Sequence, residues 1–304
     1  MTTATPRQML IFGHGYSAAA LTPRLLAEGW QVTGTTRSDP DRLVAAGAAP
    51  LIWSGDDNGD EDRITEAIAR ADAILVSIAP DCAGPLAEGP ADPVIARFGP
   101  ALLQARPRWV GYLSSTNVYG DHGGGWVDEC TPPDPGMARA RARLRAEEAW
   151  ADLSARAGWP LSIFRLAGIY GPGRGPFAKL RNGTARRIVK PGQVFSRIHV
   201  EDIAGAVLAS LAADLPATAG PHLYNLCDDD PAPPEEVIAA AAGMLGLPPP
   251  EAEDFATAEM TPMARSFYSG SKRVGNARMK QVLGYRLRYP DYRSGLAAIL
   301  RAEG

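Results

Sequence analysis

Along the first half of the chain, short apolar runs alternate with amphipathic stretches, and glycine, proline or a polar turn closes each run. Gln8–Phe12 is the first run and predicts a strand. Residues 21–29 then read as a helix stopped by Gly29, and residues 31–35 as a second strand. The pattern repeats with strands at 51–53, 73–78 and 109–113 and a helix at 64–70, with an acidic loop over 56–62. Further on it predicts a long helix over 137–153, a strand at Leu161–Leu166, a helix over 203–212 and a strand at 223–226. The strands are apolar on both faces, which predicts an α/β fold: a doubly wound parallel sheet covered by helices on each side.

The second half is less regular. A Gly/Pro/Arg-rich stretch at 171–192 interrupts the alternation, and proline-rich turns with two or three helices follow residue 228. The expected division is a dinucleotide-binding core from 1–170 and 195–227, with a smaller lobe built from 171–194 and 228–304. Residues 81–100 and 247–253 are rich in proline and glycine and read as loops or lids. No internal repeat is found.

Composition narrows the function classes. The 304 residues exceed a typical single domain, in keeping with two modules. Thirty-one basic residues against 34 acidic give a net charge of −3, which excludes a globally basic nucleic-acid binder. Cys82, Cys130 and Cys227 are too few and too scattered for a disulfide framework or a zinc site, so no metal is expected. No apolar run approaches the roughly 20 residues that span a bilayer, and the first nine residues lack a signal-peptide core. A soluble, cytoplasmic protein without membrane or nucleic-acid partners is the expectation.

Phe12-Gly13-His14-Gly15-Tyr16-Ser17-Ala18 has the form G-x-G-x-x-A directly after the first strand. The first glycine permits a tight turn, the second lets a pyrophosphate approach the backbone, and the small last residue allows close helix–strand packing. Gly13, His14, Gly15, Tyr16 and Ser17 are therefore candidate cofactor ligands. Pro23 falls inside the expected helix, where it removes a hydrogen bond and can kink the rod. The second strand ends Gly34-Thr35-Thr36-Arg37-Ser38, with no acid before Asp39. Hydroxyls and a guanidinium at Thr36 and Arg37 suit a 2′-phosphate, which favours NADP, with NAD as the alternative. Ile78, Ala79, Pro80 and Ser114, together with Asp56 in the acidic loop, are expected around the same crevice.

Leu113-Ser114-Ser115-Thr116-Asn117-Val118-Tyr119-Gly120 resembles the S-S-T-x-x-Y-G segment of the extended short-chain dehydrogenases/reductases, the NAD-dependent epimerase/dehydratase family. Arg165 to Arg174 resembles that family's R-x-x-x-x-Y-G-P-G stretch. Arg197-Ile198-His199-Val200-Glu201-Asp202 and Leu223-Tyr224-Asn225-Leu226 are similar to its later motifs, so the resemblance covers most of the chain, closest to an atypical epimerase-like subgroup. The resemblance implies a nicotinamide-binding core, a C-terminal substrate lobe and a helix-paired homodimer. It also implies hydride chemistry by a Tyr-x-x-x-Lys pair assisted by a hydroxyl, for which Ser115 is placed.

The pair itself is not where the resemblance requires it. Aligned on Glu147, the helix carries Arg139 at the tyrosine position and Arg143 at the lysine position. Arginine stays protonated near neutral pH and is a poor general base. Arg143 could still hold a ribose hydroxyl, or form an i,i+4 surface ion pair with Glu147. Tyr268-Ser269-Gly270-Ser271-Lys272 repeats the spacing but is broken by glycine and is expected in the wrong part of the fold. Tyr119, His122, Tyr170 and His199 are the remaining acid–base candidates, so Ser115, Tyr119 and Arg143 form the candidate catalytic set.

From Leu153 to Val200 there is no Asp or Glu, against nine Arg and Lys. Such a segment suits an anionic, nucleotide-sugar-like substrate gripped by Arg174 and Arg197; the alternative is a solvated face that pairs with acidic loops. Two functions stay open: an NADP-dependent oxidoreductase or epimerase/dehydratase, and a cofactor-binding sensor that has lost its chemistry.

Overall fold

A computed structural model describes residues 6–55, 59–82, 92–213, 215–217 and 220–303. Its centre is a seven-stranded sheet. In chain order the strands are β1 (Gln8–Phe12), β2 (Gln31–Thr36), β3 (Ala49–Ile52), β4 (Ala73–Val76), β5 (Trp109–Ser115), β7 (Leu161–Leu166) and β11 (His222–Leu226). Every pairing is parallel and the order is β11-β7-β5-β4-β1-β2-β3. Strand order reverses between β1 and β4, which opens a crevice at their carboxyl ends.

The alternation of side chains in β1 explains the two-sided burial. Met9 and Ile11 enter one apolar cluster with α1 (Tyr16–Ala27) and α7 (Val200–Ala212). Leu10 and Phe12 enter the other, with α3 (Glu61–Arg70), α4 (Pro93–Gln104) and α5 (Ala138–Ala157). Each face of the sheet is covered by helices, as a parallel sheet requires. Among the described residues, no helix is long and apolar enough to cross a membrane.

Short elements complete the crevice. α2 (Pro40–Ala45) follows β2, and a single 3₁₀ turn (Thr116–Tyr119) follows β5. β6 (Trp126–Val127) pairs with β13 (Arg273–Val274), and β8 (Gly168–Tyr170) pairs with β10 (Arg197–His199). β9 (Arg187–Val189) pairs with β12 (Ala252–Asp254). A third apolar cluster joins α6 (Phe177–Arg181), α8 (Pro234–Met244) and α11 (Tyr292–Glu303) through Phe177, Val237, Leu296 and Ile299. Two small helices, α9 (Pro262–Ser266) and α10 (Ala277–Val282), lie between.

Two loop expectations are corrected. Within 81–100, residues 83–91 lie outside the described residues, and residues 93–100 belong to α4: Asp92 caps it by accepting from the Val94 and Ile95 amides at 3.0 and 3.1 Å, and Pro93 stands at the first position. Proline is compatible with that position because its missing N–H would be unpaired there anyway. Within 247–253, the last residues enter β12. Pro23 is accommodated inside α1 without ending it.

Candidate functional site

The glycine loop is shaped by its own backbone and by β2. Gly13 has φ +80°, and a Cβ there would lie 2.7 Å from Cγ1 of Ile78. The Gly13 amide donates to the Thr35 hydroxyl at 2.8 Å and the His14 amide to the Thr35 carbonyl at 2.9 Å. Thr35 was not among the expected site residues; its hydroxyl pins the turn. Gly15 is exposed and precedes α1 without any side-chain cap, and a Cβ there would meet nothing closer than 3.9 Å. The unpaired first-turn amides and the open space in front of Gly15 fit a dinucleotide pyrophosphate.

The remaining expected cofactor residues divide. The His14 side chain is buried, with Nε2 2.7 Å from the Thr22 hydroxyl, and burial lowers its pKa. Since the Thr22 proton goes to the Ala18 carbonyl, Nε2 is the donor, and the His14 amide and carbonyl are already bonded to Thr35 and Arg42. Tyr16 donates to the Pro172 carbonyl at 2.9 Å, and Ser17 is buried in the first helical turn. The Thr36 hydroxyl accepts from the Asp39 amide at 3.3 Å, and Arg37 is exposed beside it. Arg42, missed in the sequence, donates to the His14 carbonyl at 2.5 Å and adds a second cation at this end of β2. Ile78 packs on Gly13, with Ala79 and Pro80 next in the loop. The Ser114 hydroxyl instead donates to the buried Glu147 carboxylate, and Asp56 lies outside the described residues.

Beyond the end of β5 lies a cavity of about 680 Å³. Ser115, Arg139, Tyr170, Arg197, Phe267 and Lys272 are among its lining residues. Ser115 lies at the β5 terminus and accepts from the Asn117 amide at 3.2 Å. Arg139 reaches from α5 to the Ser266 hydroxyl at 3.1 Å, with its guanidinium 5.3 Å from the Phe267 ring centre. Arg197 donates to the Phe195 and Ala232 carbonyls at 2.9 and 3.0 Å.

Several sequence expectations are corrected here. Lys272, set aside as lying in the wrong part of the fold, lines the same cavity as Ser115, and its ammonium donates to the Gly120 carbonyl at 2.8 Å. Tyr268 is not on a common helix with it; that ring packs against Phe195 and Phe255. Arg174 is exposed and lies over the Tyr16 ring, 5.6 Å from its centre, because the Gly171–Arg174 turn folds toward α1. It therefore belongs beside the glycine loop rather than in the cavity. Tyr119 is fully buried, and its hydroxyl donates to Asn225 Oδ1 at 2.8 Å, away from any acid–base role.

Arg143 does not pair with Glu147. It donates to the Tyr112 hydroxyl at 3.1 Å and the Leu113 carbonyl at 3.0 Å, at the end of β5. His199 is buried, and its Nδ1 accepts from the Glu201 amide at 3.2 Å; burial pushes its pKa down to about 4, so it is neutral near pH 7. His122 is held to the Tyr119 carbonyl at 2.9 Å. Much of the basic segment is used internally: Arg165 pairs with Glu147, Arg181 with Glu303, and Arg186 with Glu253.

The profile of the NAD dependent epimerase/dehydratase family matches residues 9–227. This chain belongs to that family. It is 31% identical over 293 residues to Protein YeeZ of Escherichia coli K12, an alignment covering 94% of this chain and 97% of YeeZ. It is also 31% identical over 191 residues to a 3-diazoavenalumate denitrifying reductase of a Streptomyces species, covering 56% of this chain and 58% of the reductase. A functionally unknown conserved protein from Silicibacter pomeroyi superposes with a TM-score of 0.86 at 50% identity, covering 98% of this chain and 99% of the other. The human epimerase family protein SDR39U1, with NADPH, superposes at 0.73 with 19% identity over 97% and 99% of the two chains. MoeE5, in complex with UDP-glucuronic acid and NAD, does so at 0.74 with 19% identity over 97% and 99%. Membership makes this epimerase/dehydratase-family chain a nicotinamide-dinucleotide binder, and the glycine loop is where its geometry fits one.

Proposed function

We propose that this protein is an NADP-dependent oxidoreductase or epimerase/dehydratase of the cytoplasm acting on a small anionic substrate, without the family's usual Tyr-x-x-x-Lys pair. One observation carries the reading. Ser115 shares a single cavity with Arg139, Arg197 and Lys272, and none of these three cations is ion-paired among the described residues. These three half-buried cations outnumber the acidic lining residues, Asp121 and Asp134, which favours an anionic guest. The cavity volume is in the usual range for small-molecule sites, about 300–1,000 Å³. A bound nicotinamide dinucleotide would supply or accept a hydride; Gly13 to Gly15 shape the loop, and the first-turn amides of Tyr16 and Ser17 would face its diphosphate. Arg37 and Arg42 supply positive charge for a 2′-phosphate, Ser115 donates a hydrogen bond to the reacting oxygen, and Arg143 holds a ribose hydroxyl. The NADPH in SDR39U1, the UDP-glucuronic acid in MoeE5 and the reductase name of the Streptomyces relative support the class.

The second reading is a cofactor-binding sensor. It is favoured by the bonds that already tie Arg139 to Ser266, Lys272 to Gly120 and Arg197 to two carbonyls. Calorimetric titration with NADPH, NADP⁺, NADH and NAD⁺ comes first, followed by NADPH oxidation against nucleotide sugars, sugar phosphates and aromatic carboxylates. Tighter binding of NADPH than NADH and turnover of an anion are expected. Binding with no turnover across the panel supports the sensor; no binding of any dinucleotide sinks both.

A further inference from the structure

We propose that Lys272 is the proton-transferring group of the cavity, doing from the C-terminal lobe what the α5 helix does not do with Arg139 and Arg143. The inference rests on the oxidoreductase reading above. Four observations place it. The Lys272 ammonium is in the wall of the cavity that Ser115 lines, half-buried rather than reaching into solvent. Its one hydrogen bond, to the Gly120 carbonyl, ties it to the loop that leaves β5 through Thr116–Tyr119, so it is held near the Ser115 end of the site. Asp121 accepts the Ser271 and Gly123 amides at Oδ1, at 2.7 and 3.1 Å, and among the described residues Lys272 makes no ion pair. The arginines of the cavity stay charged near neutral pH, and the tyrosine there, Tyr170, is pushed well above its usual range by burial.

Burial lowers the Lys272 pKa, with Asp121 opposing. The other charged groups on the neighbouring elements are Lys190, bonded to the Tyr268 carbonyl, Arg273, bonded to the Gly124 carbonyl, and Arg139 and Asp134 in the lining of the same cavity. Such a lysine gives up its proton more readily than a solvated one, and general acids work best when their pKa approaches the working pH.

In the reductive direction, Lys272 gives its Nζ proton to the oxygen of a substrate carbonyl while that carbon accepts hydride from the reduced nicotinamide dinucleotide. The C=O π pair becomes the new O–H bond, the carbon gains a C–H bond, the dinucleotide is oxidised, and the neutral amine regains a proton from solvent. Ser115 and Arg139 hold the oxygen and the anionic end of the substrate in place.

The first test needs no substrate. Competitive trace acetylation of the whole protein, read peptide by peptide by mass spectrometry across pH, compares Lys272 with exposed Lys179. Lys272 should become reactive at lower pH than Lys179; equal midpoints overturn the proposal. The second test uses an anionic substrate from the panel above. Lys272→Met should lower turnover about 100-fold or more while NADPH affinity and thermal midpoint stay unchanged. Lys272→Arg should keep substrate affinity and lose turnover. Full turnover in either variant overturns the role of Lys272, whereas loss of NADPH binding by the unmodified protein overturns only the underlying reading. Should Lys272→Met fail to fold, Lys272→Arg together with the acetylation midpoint decides the matter.

Discussion

The Arg165 guanidinium lies 2.7 Å from the Glu147 carboxylate, and each side chain is only 5% exposed. Glu147 also accepts from Ser114, and Arg165 covers the Tyr119 ring at 4.8 Å. The pair thus joins α5, β5, β7 and the turn after β5 directly beneath the cavity. Removing one partner leaves a buried charge uncompensated, which typically costs about 3–5 kcal/mol. Glu147→Ala should therefore unfold at markedly lower urea, while Glu147→Leu combined with Arg165→Leu loses much less. Equal losses in the single and double variants would show that packing, not the charge, governs this site.

Gly13→Ala tests the glycine loop. The new Cβ meets Ile78 and must adopt a positive φ, a strain of roughly 1–2 kcal/mol before any clash. NADPH affinity should fall about tenfold or more. The cavity is formed by other elements, so substrate-analogue binding should change far less. An unchanged NADPH titration would place the dinucleotide elsewhere.

The parallel sheet and the glycine loop were legible because both are local. Continuous apolar runs such as Ala73–Val76 mark strands buried on both faces, and Gly13 and Gly15 stand directly after β1. The cavity was not legible, since its walls come from residues far apart in the chain. Lys272 meets Gly120 across 152 positions and Arg139 meets Ser266 across 127. Arg174 illustrates the converse error: it belongs to a basic stretch in sequence, yet its turn carries it to Tyr16. Tyr119 matched a family segment, but only packing against Asn225 and Arg165 reveals that it faces the core.

Arg139 and Arg174 should separate the two binding functions. Arg139 lines the cavity, so Arg139→Ala should weaken an anionic substrate by about 10- to 100-fold, the weight of a charge-assisted hydrogen bond, and leave NADPH unaffected. Arg174 covers Tyr16 beside the glycine loop, and the loss of an exposed cation–π contact predicts about a two- to fivefold weaker NADPH complex. Calorimetry on both variants checks the split; a reversed pattern would return Arg174 to the substrate side.

Asp228, two residues after Leu226 at the end of β11, supplies a pH signature. It is 1% exposed, Oδ2 has no hydrogen-bond partner, and Oδ1 accepts only a long bond from the Asp230 amide at 3.4 Å. Burial pushes its carboxyl up to about 8, against the pull of Arg197 and with Asp229 and Asp230 adding to the rise. The folded state thus prefers the protonated acid, whereas the unfolded chain ionises near pH 4. The associated stability is complete below about pH 4 and is lost as pH rises toward about 8. His199, depressed to about 4, works in the opposite sense: its contribution is present above about pH 6.5 and lost as pH falls toward 4. Between about pH 7.5 and 8.5 that histidine is neutral in both states, and the difference in slope between the unmodified protein and Asp228→Asn isolates Asp228 from the other titrating groups. Urea midpoints should decline more steeply over this window in the unmodified protein than in Asp228→Asn, which should be the more stable of the two at the alkaline end. Parallel slopes would mean that Asp228 is already ionised in the folded protein and finds its counter-charge in Arg197.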